Sequence, residues 1–215
     1  MNQMRRVFYV IYPDDYYRQQ ILDAICYLAD PTEKTRAHVT LRGPYAQRYG
    51  VSTASRAVEG SDVMVTGVDA FLGPSQNTVF FSVLAPALEK VWHKPDYPNG
   101  RPHLTIYDGK SRTFAERLRL KLQEIEPKFW FRASPLEPLI TTKGQGSLEL
   151  RAAYNPELVG RLTGRIVPTD QVPELPAAER IELIAKLCSE LSKNPKPESS
   201  SNGDDSSTSS LRRFN

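Results

Sequence analysis

The heptapeptide "RAHVTLR", residues 36–42, returns as "RPHLTIY" at residues 101–107, so two of the chain's three histidines share one pattern. Arg-x-His-x-Thr alternates polar residues with small or apolar ones, the two-residue period of a strand buried on one face. Arg36, His38, Thr40 and Arg42 then lie on one side, with Val39 and Leu41 on the other. In the second copy Arg101, His103, Thr105 and Tyr107 share a face opposite Leu104 and Ile106. With 13 threonines in 215 residues, a histidine has about a 6% chance of Thr two places on. Two of three by accident is roughly a 1% event, so the pair carries information that a single motif would not. His93, in "EKVWHKPD", lacks the pattern and reads as a surface histidine at a helix end.

Outward from these stretches the chain alternates strands and helices. "VFYVIY" (7–12) is β-branched and aromatic and reads as a strand, followed by a helix over 14–30 that Asp14 or Asp15 can cap. Residues 61–73 and 77–84 form a hairpin around Pro74-Ser75-Gln76, and 85–94 a short helix. After the second histidine strand come a helix over 111–126 and further strands in "KFWFRASPLEPLIT" and "GSLELRAAY". This order fits an α+β fold of two lobes with an approximate internal duplication, one histidine strand in each. The histidines are about 65 residues apart, too far for a solenoid repeat. Beyond Tyr154, "PAAERIELIAKLCSELSK" (176–193) carries Ile181, Ile184, Leu187, Cys188 and Leu191 on one face, and is expected to pack on the domain rather than bind a partner. The Ser/Pro/Asp/Asn-rich residues 194–215 read as a disordered tail, with the closing "LRRF" as a solvated end. The expected organisation is a domain over 1–154, an extension over 155–193 and the tail.

Charge and cysteine usage narrow the classes. A net charge of +3 admits a phosphate-bearing partner but is too small for a nucleic-acid coat or a polybasic membrane anchor. The apolar run from Val7 to Tyr12 is shorter than a signal-peptide core, and no run approaches a membrane span, so the expected location is the cytoplasm. Cys26 and Cys188 form no C-x-x-C pattern and read as buried small hydrophobes. No four-ligand zinc set exists at workable spacing, and no cofactor is expected.

The paired pattern suits phosphoryl chemistry. Imidazole titrates near neutrality, so one histidine can take a proton while the other gives one. Threonine hydroxyls can donate to non-bridging phosphate oxygens, and arginine adds charge and a forked donor. A Ser-His-Asp hydrolase is a poor competitor, because no G-x-S-x-G elbow is present. The residues do not say which histidine is base.

His38-Val39-Thr40-Leu41 and His103-Leu104-Thr105-Ile106 resemble the paired signature of the two-histidine (2H) phosphoesterase superfamily. The likeness runs from about residue 5 to 154 and includes the hairpin and helix between the motifs. It is nearest to the branch of RNA 2′,3′-cyclic phosphodiesterases, historically named 2′-5′ RNA ligases. The resemblance implies a bilobal fold with a central cleft, His38 and His103 as acid and base, and Thr40 and Thr105 holding phosphate without a metal. The implied substrate is a cyclic-phosphate RNA end or small cyclic nucleotide, acted on by a monomer that has no membrane partner. Degradation of a cyclic-oligonucleotide or 2′-5′ oligoadenylate signal keeps the same site, and a non-catalytic RNA- or nucleotide-binding module is the reading from another class. Arg42, Tyr107 and Tyr45 are candidates for contacting phosphate or base, with a structural role the alternative for Arg42 and Tyr107. Arg36 and Arg101 read as surface ion-pair residues, and Lys143 as a solvated turn residue.

Overall fold

The computed structural model describes residues 5–32, 36–94, 96, 100–142 and 153–193. Strand β1 (Arg5–Ile11) leads into α1 (Tyr16–Ala29), whose first turn is capped by Asp15 accepting from the Tyr17 and Arg18 amides. Strand β2 (Val39–Tyr45), helix α2 (Ser52–Val58), the hairpin β3 (Asp62–Leu72) and β4 (Asn77–Leu84), and helix α3 (Pro86–Val91) follow. Then come β5 (His103–Gly109), α4 (Arg112–Ile125), β6 (Phe129–Arg132), β7 (Glu137–Thr142), α5 (Pro156–Thr163), a 3₁₀ turn (Thr169–Glu174) and α6 (Ala177–Ser192).

Among the described residues the strands form one antiparallel sheet of seven, in the order β6-β3-β4-β5-β2-β1-β7. The two histidine strands are neighbours at its middle. Their seam is narrow: Val39 and Leu104 are the one registered pair, whereas β4 and β5 pair from Asn77 and Gly109 to Ser82 and His103. The segment read as one strand over 128–141 is two strands at opposite edges of the sheet, broken at Ser134-Pro135, where proline has no amide to donate. A flat seven-stranded sheet would separate those edges by roughly 29 Å, yet the five steps from Arg132 to Glu137 span at most about 18 Å. The sheet therefore curls until its edges approach, and a bridge between Pro13 and Ala133 ties them. The strand expected over 146–154 falls mostly outside the described residues, and Ala153 and Tyr154 are not in a strand.

Helices α1 and α4 cover one face of the sheet, and α6 packs on both. Because α1 lies between sheet and helix, it is buried nearly all round, from Ile21 to Ala29. Ile181, Ile184, Leu187, Cys188 and Leu191 of α6 are all buried, so the apolar stripe seen in the sequence serves this packing. Val39, Leu41, Leu104 and Ile106 point to the helical side and are at most 2% exposed, which leaves their polar neighbours for the opposite face. No helix among the described residues is long and apolar enough to cross a membrane.

Candidate active site

The seam fixes how the two motifs face each other. With Val39 opposite Leu104 in an antiparallel pair, the neighbouring positions set His38 across from Thr105 and Thr40 across from His103. Side chains at such positions have Cβ atoms about 5 Å apart, and the diagonal pair, here the two histidines, about 7–8 Å apart. Each imidazole thus stands beside the threonine of the other motif, and all four side chains are half-buried on one face.

Both rings are held in the same way. His38 Nδ1 lies 2.7 Å from the Arg36 carbonyl oxygen, and His103 Nδ1 lies 2.8 Å from that of Arg101. A carbonyl only accepts, so Nδ1 carries the hydrogen in each ring and Nε2 keeps its lone pair when the ring is neutral. The residue two places before each histidine, chosen from the sequence for its side chain, therefore contributes its backbone. Burial pushes both imidazoles below their ordinary pKa.

A third wall closes the widening gap beyond the seam. After α3 the chain runs parallel to β2, with the His93 amide donating to Leu41 O at 2.9 Å and the Gly43 amide to His93 O at 3.1 Å. His93 turns outward and stacks on Tyr45, with ring centroids 5.8 Å apart and Nδ1 2.6 Å from the Tyr45 hydroxyl. Trp92 and Lys94, on either side of it, turn to the groove, and the Lys94 Nζ sits 5.4 Å above the Trp92 ring. Lys94 lies within electrostatic reach of both histidines and disfavours the charged form of each. The Trp92 Nε1 hydrogen is buried and has no hydrogen-bond partner among the described residues.

Three of the residues expected to touch substrate are placed differently. A β-bulge shifts the β4–β5 register between the pairs Val79–Tyr107 and Phe80–Thr105, which inserts Ile106 as an extra residue. Tyr107 is thereby turned to the helical side, where it is 6% exposed, packs on Phe114 at 5.0 Å and accepts from the Ser111 amide at 3.0 Å. Asp108 takes its place on the groove face. The Arg42 Nε donates to Val91 O at 3.0 Å and Tyr45 holds His93, so both brace the third wall instead of lining the groove. Arg36 stacks over the Tyr12 ring at 4.2 Å and faces Asp23 at 3.9 Å, whereas Arg101 lines the groove. Lys143 lies outside the described residues.

Two cavities open on the His103 side of the motifs. A cavity of about 390 Å³ is lined by His103, Thr105, Asp108, Trp92, Lys94 and Thr78 among others. A second, of about 790 Å³, continues from His103 along β3 and β4. Phe71, 61% exposed, borders both, and Phe80 lies 4.7 Å from the His103 ring. His38 and Thr40 line neither cavity; His38 sits behind, edge-on to Tyr12 at 6.2 Å.

Lys94, Trp92 and Asp108 were missed by sequence reading. The one signal for the first two was the alternation in Trp92-His93-Lys94, hidden because the helix appeared to continue to residue 94. Nothing local announces the bulge that exposes Asp108. Comparison with protein-family models, with curated proteins and with solved structures finds no match.

Proposed function

We propose that this chain is a phosphodiesterase that opens a cyclic phosphate, such as a 2′,3′-cyclic nucleotide or RNA end, by two-histidine acid–base catalysis. The observation that carries the reading is the matched tethering of the two rings. Each Nδ1 donates to the carbonyl two residues back, and each ring lies across the seam from the other motif's threonine. In this reading the sheet halves on either side of the seam are the two lobes of a 2H phosphoesterase fold. Outward from the seam each half repeats an order: the histidine strand, then β1 or β4, then β7 or β3.

One neutral imidazole takes a proton from water at Nε2 as the water oxygen bonds to phosphorus. The other, protonated, gives its Nε2 proton to the ring oxygen that leaves. The Thr40 and Thr105 hydroxyls donate to non-bridging oxygens, and the Lys94 ammonium offsets charge that grows in the transition state. Turnover of a 2′,3′-cyclic mononucleotide and a cyclic-phosphate RNA oligomer, with cyclic dinucleotides alongside, tests the proposal. Hydrolysis should persist in a metal chelator and follow a bell-shaped pH curve. Activity lost to chelator and restored by a metal would reject this mechanism, and unaltered ligand affinity in inactive histidine variants with no turnover in wild type would point to a binding module.

A further inference from the structure

The two imidazoles are tethered alike but sit in unlike electrostatic company. On the His103 side the bulge in β5 puts Asp108 into the groove, where its carboxylate accepts from Thr78 Oγ1 at 2.5 Å and Gln76 Nε2 at 2.7 Å. Two more carboxylates, Asp69 and Glu89, border the larger cavity beside His103. The fifth residue after His38 is Gly43, so β2 has no counterpart to Asp108.

On the His38 side the near charges are cationic. Arg36 lies over Tyr12 beside the ring and His103 stands diagonally across the seam, while Lys94 on the third wall acts on both imidazoles and, with Arg101, lines the groove beside His103. The carboxylates of that half act on its other groups. Asp23 accepts from the Ala37 amide and Gln19 under the sheet and faces Arg36 at 3.9 Å, and Glu137, across Val10 from Thr40, acts on Tyr12.

We propose that Asp108 is a positioning residue for charge that breaks the symmetry of the motifs, making His103 the acid and His38 the base in ring opening. The assignment rests on the phosphodiesterase reading. His38 enters turnover neutral and takes the proton of the attacking water; His103 enters protonated and gives its proton to the departing oxygen as the P–O bond breaks. The cycle ends with His38 protonated and His103 neutral, and exchange with solvent restores the start. The surroundings act in this direction: burial lowers both rings and Lys94 adds to that at each, but Asp108 opposes it at His103 alone, while His103 and Arg36 reinforce it at His38.

The test is an NMR titration of the imidazole signals in the full chain, wild type and Asp108→Asn, with kcat–pH profiles on a 2′,3′-cyclic nucleotide. His103 is expected to gain its proton at higher pH than His38. Asp108→Asn should lower the His103 midpoint and leave His38 nearly in place. The alkaline limb of kcat should move to lower pH, with roughly a tenfold loss on that side and little change on the acid side, and Asp108→Glu should restore it. A His38 midpoint above that of His103, or an unmoved His103 in Asp108→Asn, overturns the proposal. Absence of turnover in wild type removes the phosphodiesterase reading, while the order of the two midpoints still decides which ring holds the proton.

Discussion

The half of the sheet that holds His38 and the half that holds His103 begin from nearly the same seven residues and end in different settings. Around His38, Tyr12, Val10 and Leu139 are at most 6% exposed, and Arg36 stacks over Tyr12. Around His103 the sheet face is open, bordered by Phe71 and by the carboxylates of Asp108 and Asp69. What the halves share is decided within seven residues: alternation of faces, and the bond from Nδ1 to the carbonyl two places back. What divides them comes from distant chain, namely the bulge against β4 and the curl that brings Ala133 to Pro13. A duplicated motif can thus supply two equivalent groups, and its surroundings can then give them unequal tasks.

If the halves are equal partners in chemistry, His38→Ala and His103→Ala should be equally damaging. Each should take turnover to background, a loss on the order of 10⁴-fold in kcat. A residual rate in one variant alone would show that a single histidine suffices and that the pairing is incidental. Thr40→Ala and Thr105→Ala should each cost about 10²–10³-fold, the usual loss for one preorganised transition-state donor. Here the comparison sharpens: a loss confined to Thr105→Ala would place the phosphoryl group wholly within the open groove, since Thr40 lines neither cavity.

Lys94 stands between the halves, so its removal should act on both. Lys94→Met should lower kcat by about 10–10²-fold. It should also raise the pH at which each imidazole gains its proton, because the ammonium disfavours the charged form of both. A shift at His103 alone, followed by NMR, would mean that Lys94 belongs to the open half only.

Beneath the closed half, Asp23 on α1 clamps the backbone leading into His38, its Oδ1 accepting from the Ala37 amide and from Gln19, each at 2.7 Å. Burial pushes this carboxyl up to about 6 from its ordinary 3.8. Since the folded value is the higher one, the stability it confers is fully present below pH 3.8 and lost as pH rises through 6. The loss should be on the order of 3 kcal/mol, visible as a falling urea midpoint between pH 4 and 7. Asp23→Asn should flatten that dependence. A slope unchanged in the variant would place its origin at another group.

Most of the scaffold was legible because its signals are local. Asp15 before "YYRQQILDAICYLA" announces α1, the turn at 74–76 announces the hairpin, and Ile181, Ile184, Leu187 and Leu191 announce the buried side of α6. Helix α2 was missed because it buries only Ala54 and Val58, too little for a periodic pattern. Helix α5 was legible but went unread: Asn155-Pro156 opens it, Gly164 closes it, and Leu158 and Val159 lie on its buried side. Within the site, the alternation rule placed Val39, Leu41 and Leu104 correctly and failed at Tyr107, because one inserted residue reverses every later side chain in a strand. Lys94 was out of reach for a different reason: its position depends on a parallel bridge between His93 and Arg42, 51 residues apart, which no local period encodes.

The smallest effect is expected at the end of the chain. Among the described residues, the elements that build the two halves of the sheet, the third wall and the helices beneath them run to Ser192. The Lys128 amide donates to the Ser192 side chain at 3.1 Å, so the packed layer is tied to the sheet up to that point. Residues 194–215 are Ser/Pro/Asp/Asn-rich and offer few apolar groups to bury. Truncation after Lys193 should therefore leave kcat and KM for a cyclic nucleotide within about twofold of the full chain and the thermal midpoint nearly unmoved. A fall in kcat/KM for an RNA oligomer but not for a mononucleotide would assign the tail to the longer substrate and extend the open half beyond β3. A fall for both would mean that the terminal segment supports the histidines themselves, and the division into a closed and an open half would have to be redrawn.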